Sequence, residues 1–363
     1  MLGVIMVNKT SDQKKVYRFG VIGYGNMANY HVIKIAKPDG IKYCAAYDIN
    51  SKRLEVAKRD GLCIYDNLER MFEEEKLDAV LIATPNDSHK EYALRAIERG
   101  IHVICEKPAT LNSSELVEIM DAAEKHQVLF SVHQNRRLDI DFQIMKKVYE
   151  ENMLGKIFRI ESRVQGSREI APTWRRNREN GGGMLYDWGV HLIDQILYLI
   201  DSKVVSVYAE FQYLRQEEVD ENVRVQMQFE NGLSALVEIG TCNYIMLPLW
   251  YMCGVEGTAQ IDYWDLKGKV CQLIDTDVAF ADEIPPSVAG PSITMAPRSE
   301  DTMRECPLPE PEYDKDLFYK NFVNALEGTE ELFVKPTEVL RTSYIIDLAF
   351  ESGHRKEVIR CNV

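Results

Sequence analysis

No run of apolar residues in this 363-residue chain reaches the roughly 20 that a bilayer span requires. The longest uncharged stretch lies between Glu238 and Glu256, and Asn243, Pro248 and Gly254 interrupt it. A membrane partner is not expected. A basic excess is also missing: 43 Lys and Arg stand against 57 Asp and Glu, a formal net charge of -14. That balance argues against nucleic acid and anionic lipid. No block of like charge stands out, so the acidity reads as a solvated surface rather than an interaction tail. None of the eight cysteines sits in a C-x-x-C pair, and a chain of this length needs no disulfide framework. They read as reduced thiols, which sets a cytoplasmic expectation. Residues 1–15 lack the basic start and long apolar core of a signal peptide. Repeats and low-complexity tracts are absent, and the length suits two domains.

What is present concentrates first in Val16–Ala28, VYRFGVIGYGNMA. Tyr17–Ile22 reads as a short buried strand, and Gly23, Gly25 and Ala28 follow as G-x-G-x-x-A. Gly23 turns strand into helix, Gly25 lets a pyrophosphate approach the backbone, and Ala28 allows close helix–strand packing. The helix start offers free N–H groups to the phosphates. A second strand, Ile41–Tyr47, ends at Asp48, about 20 residues on, where an acid holds the ribose hydroxyls. Together these predict a dinucleotide site.

Further strands are expected at Ala79–Ala83, His102–Cys105 and Leu129–Val132, with helices such as Glu91–Arg99 and Ser114–Lys125 between them. This alternation predicts a doubly wound parallel α/β domain over residues 16–137, after a loose tail at 1–15. Beyond it the texture changes. After a helix at Ile140–Glu150 come strands at Lys156–Gln165, Val204–Leu214, Val223–Phe229, Ser234–Thr241, Trp250–Val255, Ala259–Trp264 and Lys269–Ile274. Asn231-Gly232 marks a hairpin. Residues 138–363 are thus expected to form an α+β substrate domain with a large open, mainly antiparallel sheet. Its uncovered face predicts a homo-oligomer. Residues 275–311 hold seven of the 13 prolines and read as one long loop. Helices at Asp314–Leu326 and Thr337–Phe350 close the chain.

Three clusters carry chemistry. Ala83-Thr84-Pro85-Asn86-Asp87-Ser88-His89 follows the third of these strands. In an open parallel sheet, ligands bind beyond the carboxyl ends of strands, so Thr84, Asn86 and His89 are expected at the cofactor cleft; a helix-capping turn is the other reading. Glu106-Lys107-Pro108 follows the next strand. Lys107 there suits a developing alkoxide, and a surface ion pair with Glu106 is the alternative. In Gly181–Asp194, GGGMLYDWGVHLID, Asp187 and His191 lie four apart on one helical face, with Asp194 a turn later. Histidine is the natural base near neutral pH, and a carboxylate orients it. A satisfied core histidine or a metal pair are the rival readings. Trp174-Arg175-Arg176 and Asn135-Arg136-Arg137 read equally as polyol-binding elements or surface clusters.

Taken together, GYGNMA, ATPNDSH, CEKPAT and GGGMLYDWGVHLID resemble the glucose–fructose oxidoreductase, inositol dehydrogenase and MocA (Gfo/Idh/MocA) family over nearly the whole chain. The resemblance implies a Rossmann domain, an open-sheet second domain, a nicotinamide cofactor, and oxidation or reduction of a secondary hydroxyl on a sugar, cyclitol or glycoside. It implies Lys107, Asp187 and His191 as the catalytic set. Gly23, Gly25, Asn26, Met27 and Asp48 match the nucleotide loop and ribose acid. Thr84, Pro85, Asn86, His89, Glu106, Lys107 and Gln134 fall along the nicotinamide side. Arg136, Trp174 and Arg175 join the catalytic set as substrate contacts, with no metal expected. Asp48 argues for NAD over NADP, since its charge repels a 2′-phosphate; Lys52 and Arg53 soften that argument. Some family members oxidise C3 of a hexopyranoside, and Tyr244, Trp250 and Tyr251 would suit a large aglycone. A redox-neutral enzyme that retains its cofactor, an inositol or free-sugar dehydrogenase, an NAD-assisted glycosidase or lyase, and a dinucleotide sensor without catalysis stay open at this point.

Overall fold

The computed structural model describes residues 15–35, 40–215, 218–274 and 300–363. The expected tail falls outside these except for Lys15. The first sheet contains β1 (Tyr17–Ile22), β2 (Ile41–Tyr47), β3 (Cys63–Tyr65), β4 (Ala79–Ile82), β5 (His102–Cys105) and β6 (Phe130–Val132). All pairs are parallel, in the order β3-β2-β1-β4-β5-β6. Between the strands run α1 (Asn26–Tyr30) with a π-turn at His31–Ile35, α2 (Ser51–Arg59), α3 (Leu68–Glu74), α4 (His89–Ile97) and α5 (Ser113–His126). Phe19, Val21, Val80, Leu81, Val103 and Ile104 are fully buried, as strands covered on both faces demand. Asn50, Asn67 and Asn112 start α2, α3 and α5 by accepting backbone N–H groups two or three residues on. The strand order changes direction between β1 and β4, which places a crevice at their carboxyl ends. The edge strand β3 was not anticipated, since three residues with an exposed Cys63 carry no readable alternation.

The second half adds α6 (Ile140–Glu150), β7 (Ile157–Gln165), α7 (Val190–Leu199), β8 (Val204–Gln212), β9 (Asn222–Phe229), β10 (Ser234–Gly240), β11 (Trp250–Gly254), β12 (Gly257–Ile261), β13 (Gly268–Leu273), β14 (Met303–Cys306), α8 (Leu317–Leu326), α9 (Pro336–Arg355) and β15 (Ile359–Arg360). Its strands form one sheet, β14-β13-β12-β11-β7-β10-β9-β8-β15, in which only β7 and β10 pair in parallel among the described residues. Gly232, at φ +88°, makes the expected turn between β9 and β10. One sheet face carries Val223, Val225, Met227, Val237 and Met252 into a core shared with Phe142, Ile193, Ile196 and Ile345 from α6, α7 and α9. The register puts Arg159, Glu161, Arg163 and Glu238 on the other face, where Arg163 pairs with both acids. The α/β architecture read from the sequence is the one observed.

Three expectations need correction. Of the loop placed at 275–311, residues 275–299 lie outside the described part, but Met303–Cys306 is β14, hydrogen-bonded to β13. Its Met-Arg-Glu-Cys sequence is mostly exposed and carries no apolar face to announce it. Nor does everything after residue 138 build the second half. Phe318, Tyr319, Phe322, Val334 and Val339 lie in the core of the first sheet, with the Phe322 and Phe19 rings 6.2 Å apart. Helix α9 also runs five residues beyond the expected Phe350 and ends where Lys356 turns to φ +58°.

Candidate active site

Side chains from both halves meet beyond the carboxyl ends of β1, β4, β5 and β6. After β1, Gly23 adopts φ +84°, and a Cβ there would stand 2.6 Å from the Thr84 side chain. Only glycine fits that turn. Gly25 begins α1 with no side-chain cap, and a Cβ on it would meet nothing within 4 Å. Asn26 and Met27 follow, Met27 40% exposed. This open approach to free N–H groups suits a pyrophosphate. After β2, Asp48 accepts the Tyr24 N–H at 2.7 Å and the Asn50 N–H at 2.7 Å. Each carboxylate oxygen keeps capacity for a ribose hydroxyl. Arg53 donates to Asn26 Oδ1 at 3.1 Å, beside the same loop. The residues present therefore fit a dinucleotide.

After β4, Thr84 accepts the Ser88 hydroxyl, Pro85 leads into a 3-10 turn, and buried Asn86 donates to the Gly181 carbonyl at 2.8 Å across the cleft. His89 is corrected. Its ring is fully buried, with Nδ1 2.8 Å from the Pro108 carbonyl and Nε2 3.1 Å from that of Thr84. It braces the Lys107–Pro108 turn and has nothing left for a nucleotide. Glu106 Oε1 is bonded by His31 and His133, while Oε2 lies 3.2 Å from the Lys107 N–H. After β6, Gln134 is 1% exposed and neither atom of its amide has a partner. A buried amide left so is costly unless something bonds it.

Lys107 reaches across to the second half. Its Nζ lies 2.7 Å from the Asp187 carbonyl oxygen and 3.1 Å from Asp187 Oδ1. Arg175, in the 3-10 turn Trp174–Arg176, bonds the same Oδ1 at 3.3 Å, with its guanidinium over the Trp174 ring at 4.6 Å. Burial alone would raise the Asp187 carboxyl, but the Lys107 and Arg175 cations hold it below its usual value. Asp187 therefore pairs with two cations, not with His191 as the helical spacing suggests. Asp187 sits in a π-turn, Leu185–Gly189, that opens α7; His191 follows in α7. The His191 ring is 5% exposed and Nδ1 has no partner. Burial, then repulsion from Lys107 and Arg136, hold its pKa well below 6.5. It is a neutral imidazole at neutral pH, able to accept a proton.

Arg136 stacks on Trp188 at 4.0 Å, and Trp188 stands 6.2 Å from His191 and 5.8 Å from Trp264. This aromatic shelf was missed, because Trp264 reaches it only through the β12–β13 turn. The aromatics singled out instead do not form a wall. Trp250 is 1% exposed and donates to Asp141 at 2.9 Å, Tyr251 alternates to the other sheet face, and Tyr244 is 75% exposed. Asp194 is likewise occupied, in a bidentate pair with Arg137 at 2.7 and 2.8 Å.

A glycine loop on a 3-2-1-4-5-6 parallel sheet, facing a broad second sheet, defines a two-part dinucleotide-binding protein. Residues 17–134 match the model of the oxidoreductase family with an NAD-binding Rossmann fold, and residues 142–260 match the GFO/IDH/MocA C-terminal domain. The solved structure of an NAD-binding protein from Listeria innocua is 42% identical, with a TM-score of 0.87 over 95% of this chain and 97% of that one. The chain belongs to the Gfo/Idh/MocA oxidoreductase family, and its first sheet is an NAD-binding Rossmann domain. It is 30% identical to glucose-6-phosphate 3-dehydrogenase of Bacillus subtilis over 52% of this chain and 55% of that protein. It is 31% identical to scyllo-inositol 2-dehydrogenase (NADP(+)) of the same organism, over 59% of this chain and 61% of the relative. The chain thus spans little more than half the length of these curated relatives. No helix among the described residues is long and apolar enough to cross a membrane.

Proposed function

We propose that this protein is an NAD(H)-dependent oxidoreductase that oxidises a secondary hydroxyl of a sugar, cyclitol or glycoside. The observation that carries the reading is the meeting of Lys107 with the Asp187 turn, 3.1 Å across the cleft, beside a neutral buried His191. NAD, when bound, supplies the hydride acceptor. Gly23, Gly25, Asn26, Met27, Asp48 and Arg53 hold its phosphates and adenosine ribose, while Thr84, Pro85, Asn86 and Gln134 edge the nicotinamide end. His191 takes the hydroxyl proton. Lys107 steadies the oxygen as charge develops, and Asp187 holds the Lys107 ammonium in place. Arg136, Trp174 and Arg175 border the substrate. Asp48 favours NAD through repulsion of a 2′-phosphate.

The reading leans to C3 of a hexopyranoside, giving a 3-keto product. The Trp188–Trp264 shelf beside His191 suits the apolar face of a pyranose, and one relative is named for oxidation at position 3 of a hexose. Product analysis over inositols, free hexoses and O- and C-glycosides, with and without added NAD, tests it. A 3-keto hexose or glycoside is the expected product. Turnover of inositols alone removes the lean, and aglycone release without net NADH points to a lyase.

We also propose that the uncovered sheet face joins two copies of the chain. Sedimentation at micromolar concentration is expected to show an oligomer, and a strict monomer rejects it.

A further inference from the structure

Beside Lys107 in the chain lies a buried cluster that the reaction above does not use. His31 is fully buried, Glu106 is 6% exposed and His133 1%. His31 Nε2 stands 2.7 Å and His133 Nδ1 3.0 Å from the same atom, Glu106 Oε1. The Lys107 N–H lies 3.2 Å from Glu106 Oε2. On its other side, His31 Nδ1 meets the Tyr319 hydroxyl at 2.5 Å, and the Tyr43 hydroxyl stands 3.4 Å from that of Tyr319.

An ionised carboxylate only accepts, so both imidazoles carry their protons on the nitrogens facing Glu106. With the ring neutral, His31 Nδ1 accepts from Tyr319, and Tyr319 from Tyr43. The donors all run one way and end on Glu106. Burial opposes the Glu106 charge, but the hydrogen bonds from His133 and His31 overcome it and hold the carboxyl well below its usual value. Burial lowers His133 and keeps that ring neutral. His31, Glu106 and His133 are also the one trio of metal-ligating type among the described residues whose donor atoms lie within 4.8 Å of one another. A metal ion would need bare lone pairs on both nitrogens. Here both nitrogens stand at hydrogen-bond distance from one oxygen, Glu106 Oε1.

We propose that His31, His133 and Tyr319 are positioning residues that fix the Glu106 carboxylate and so couple the phosphate-binding helix to Lys107. The inference rests on reading Lys107 as the active-site lysine. The coupling follows from where the members sit. His31 continues the helix that starts at the glycine loop, Glu106 precedes Lys107, and His133 precedes Gln134. Tyr319 brings in α8. A shift of the helix on nucleotide binding passes to Lys107 and Gln134 through short charge-assisted bonds. The Glu106 charge also acts on His191, favouring its protonated form against burial, Lys107 and Arg136.

The two imidazoles use different nitrogens, which gives a sharp test. A Gln amide reaches the place of Nε2, and an Asn amide the place of Nδ1. H31Q and H133N therefore keep a donor to Glu106, whereas H31N and H133Q lose it. The first pair is expected within about threefold of wild type in kcat; the second is expected to fall about ten- to hundredfold, with substrate KM changing less. NADH affinity, read by fluorescence titration, is expected to weaken in H31N and not in H31Q. E106Q is expected to move the acid limb of kcat/KM to lower pH, since an anion that favoured protonated His191 is gone. Tyr319→Phe, the mildest change, is expected to lie between the two pairs. Equal losses for the Asn and Gln variants at each position, or none in any variant, overturn the network. So does one equivalent of Co(II) bound by wild type but not by H31N or H133Q, which makes the trio a metal site. If wild type turns over nothing in the sugar panel, the proposed reaction fails, while the NADH titrations still judge the coupling.

Discussion

The Lys107→Ala protein is expected to lose about 10²–10⁴ in kcat while binding NADH within a few-fold of wild type. Lys107 is only partly buried, and its ammonium is held by Asp187, through both a carbonyl and a carboxylate oxygen. That placement suits a charge presented to substrate rather than one spent on the fold. The pH profile gives a second, signed readout. His191 must be neutral to accept a proton, so the rate of alcohol oxidation rises with pH through its pKa. That pKa lies well below 6.5, first through burial and then through Lys107 and Arg136. Wild type is therefore expected to reach its plateau before neutrality. Removing the lysine cation makes protonated His191 less costly, so the acid limb of Lys107→Ala moves to higher pH. His191→Ala is expected to remove that limb and to cost a similar factor in rate. Near-full activity in both variants, with cofactor bound, would end the proposed mechanism.

The largest expected effect on stability lies behind the site. Arg137 is 1% exposed, binds both oxygens of Asp194 and donates to Glu338 at 2.6 Å. It ties the turn after β6 to α7, which carries His191, and to the start of α9. Arg137→Ala leaves Asp194, 2% exposed, as a buried charge without its cation. The expected loss is about 3–5 kcal/mol, read as a lower urea midpoint. Replacing Asp194 by leucine in the same protein is expected to recover most of it, because the cost lies mainly in the abandoned charge rather than in the lost attraction. An Arg137→Ala protein as stable as wild type would show that the clamp is idle.

How far the sequence reached can be judged from these residues. Strands such as Tyr17–Ile22 and Ala79–Ile82 are short, largely apolar runs between turn signals, and their order follows from α/β alternation. Gly23 was legible because its conformation and its neighbours tolerate no side chain. Lys107, Arg175 and Arg136 were legible as candidates since strand ends and glycine turns announce a cleft. What those side chains bond was not. Asp187 and His191 have the right spacing for a pair, yet spacing is blind to the two cations that arrive from residues 107 and 175. The Glu106 cluster draws on four separate elements, and α8 enters it from near the end of the chain. Nothing local distinguishes His31 or Tyr319 from an ordinary core residue. Trp264 shows the same limit, because it lies in the β12–β13 turn, where no alternation says what a side chain faces.

The return of α8 to the first core has a consequence for anyone dissecting the molecule. Phe318, Tyr319 and Phe322 plug a surface of the nucleotide half that residues 16–137 cannot cover themselves. A fragment cut at the apparent boundary would expose the ring of Phe19 and strand His31 without its tyrosine. The two halves are better regarded as one interlaced body, in which a transplant or fusion has to carry the late helix along with the early sheet.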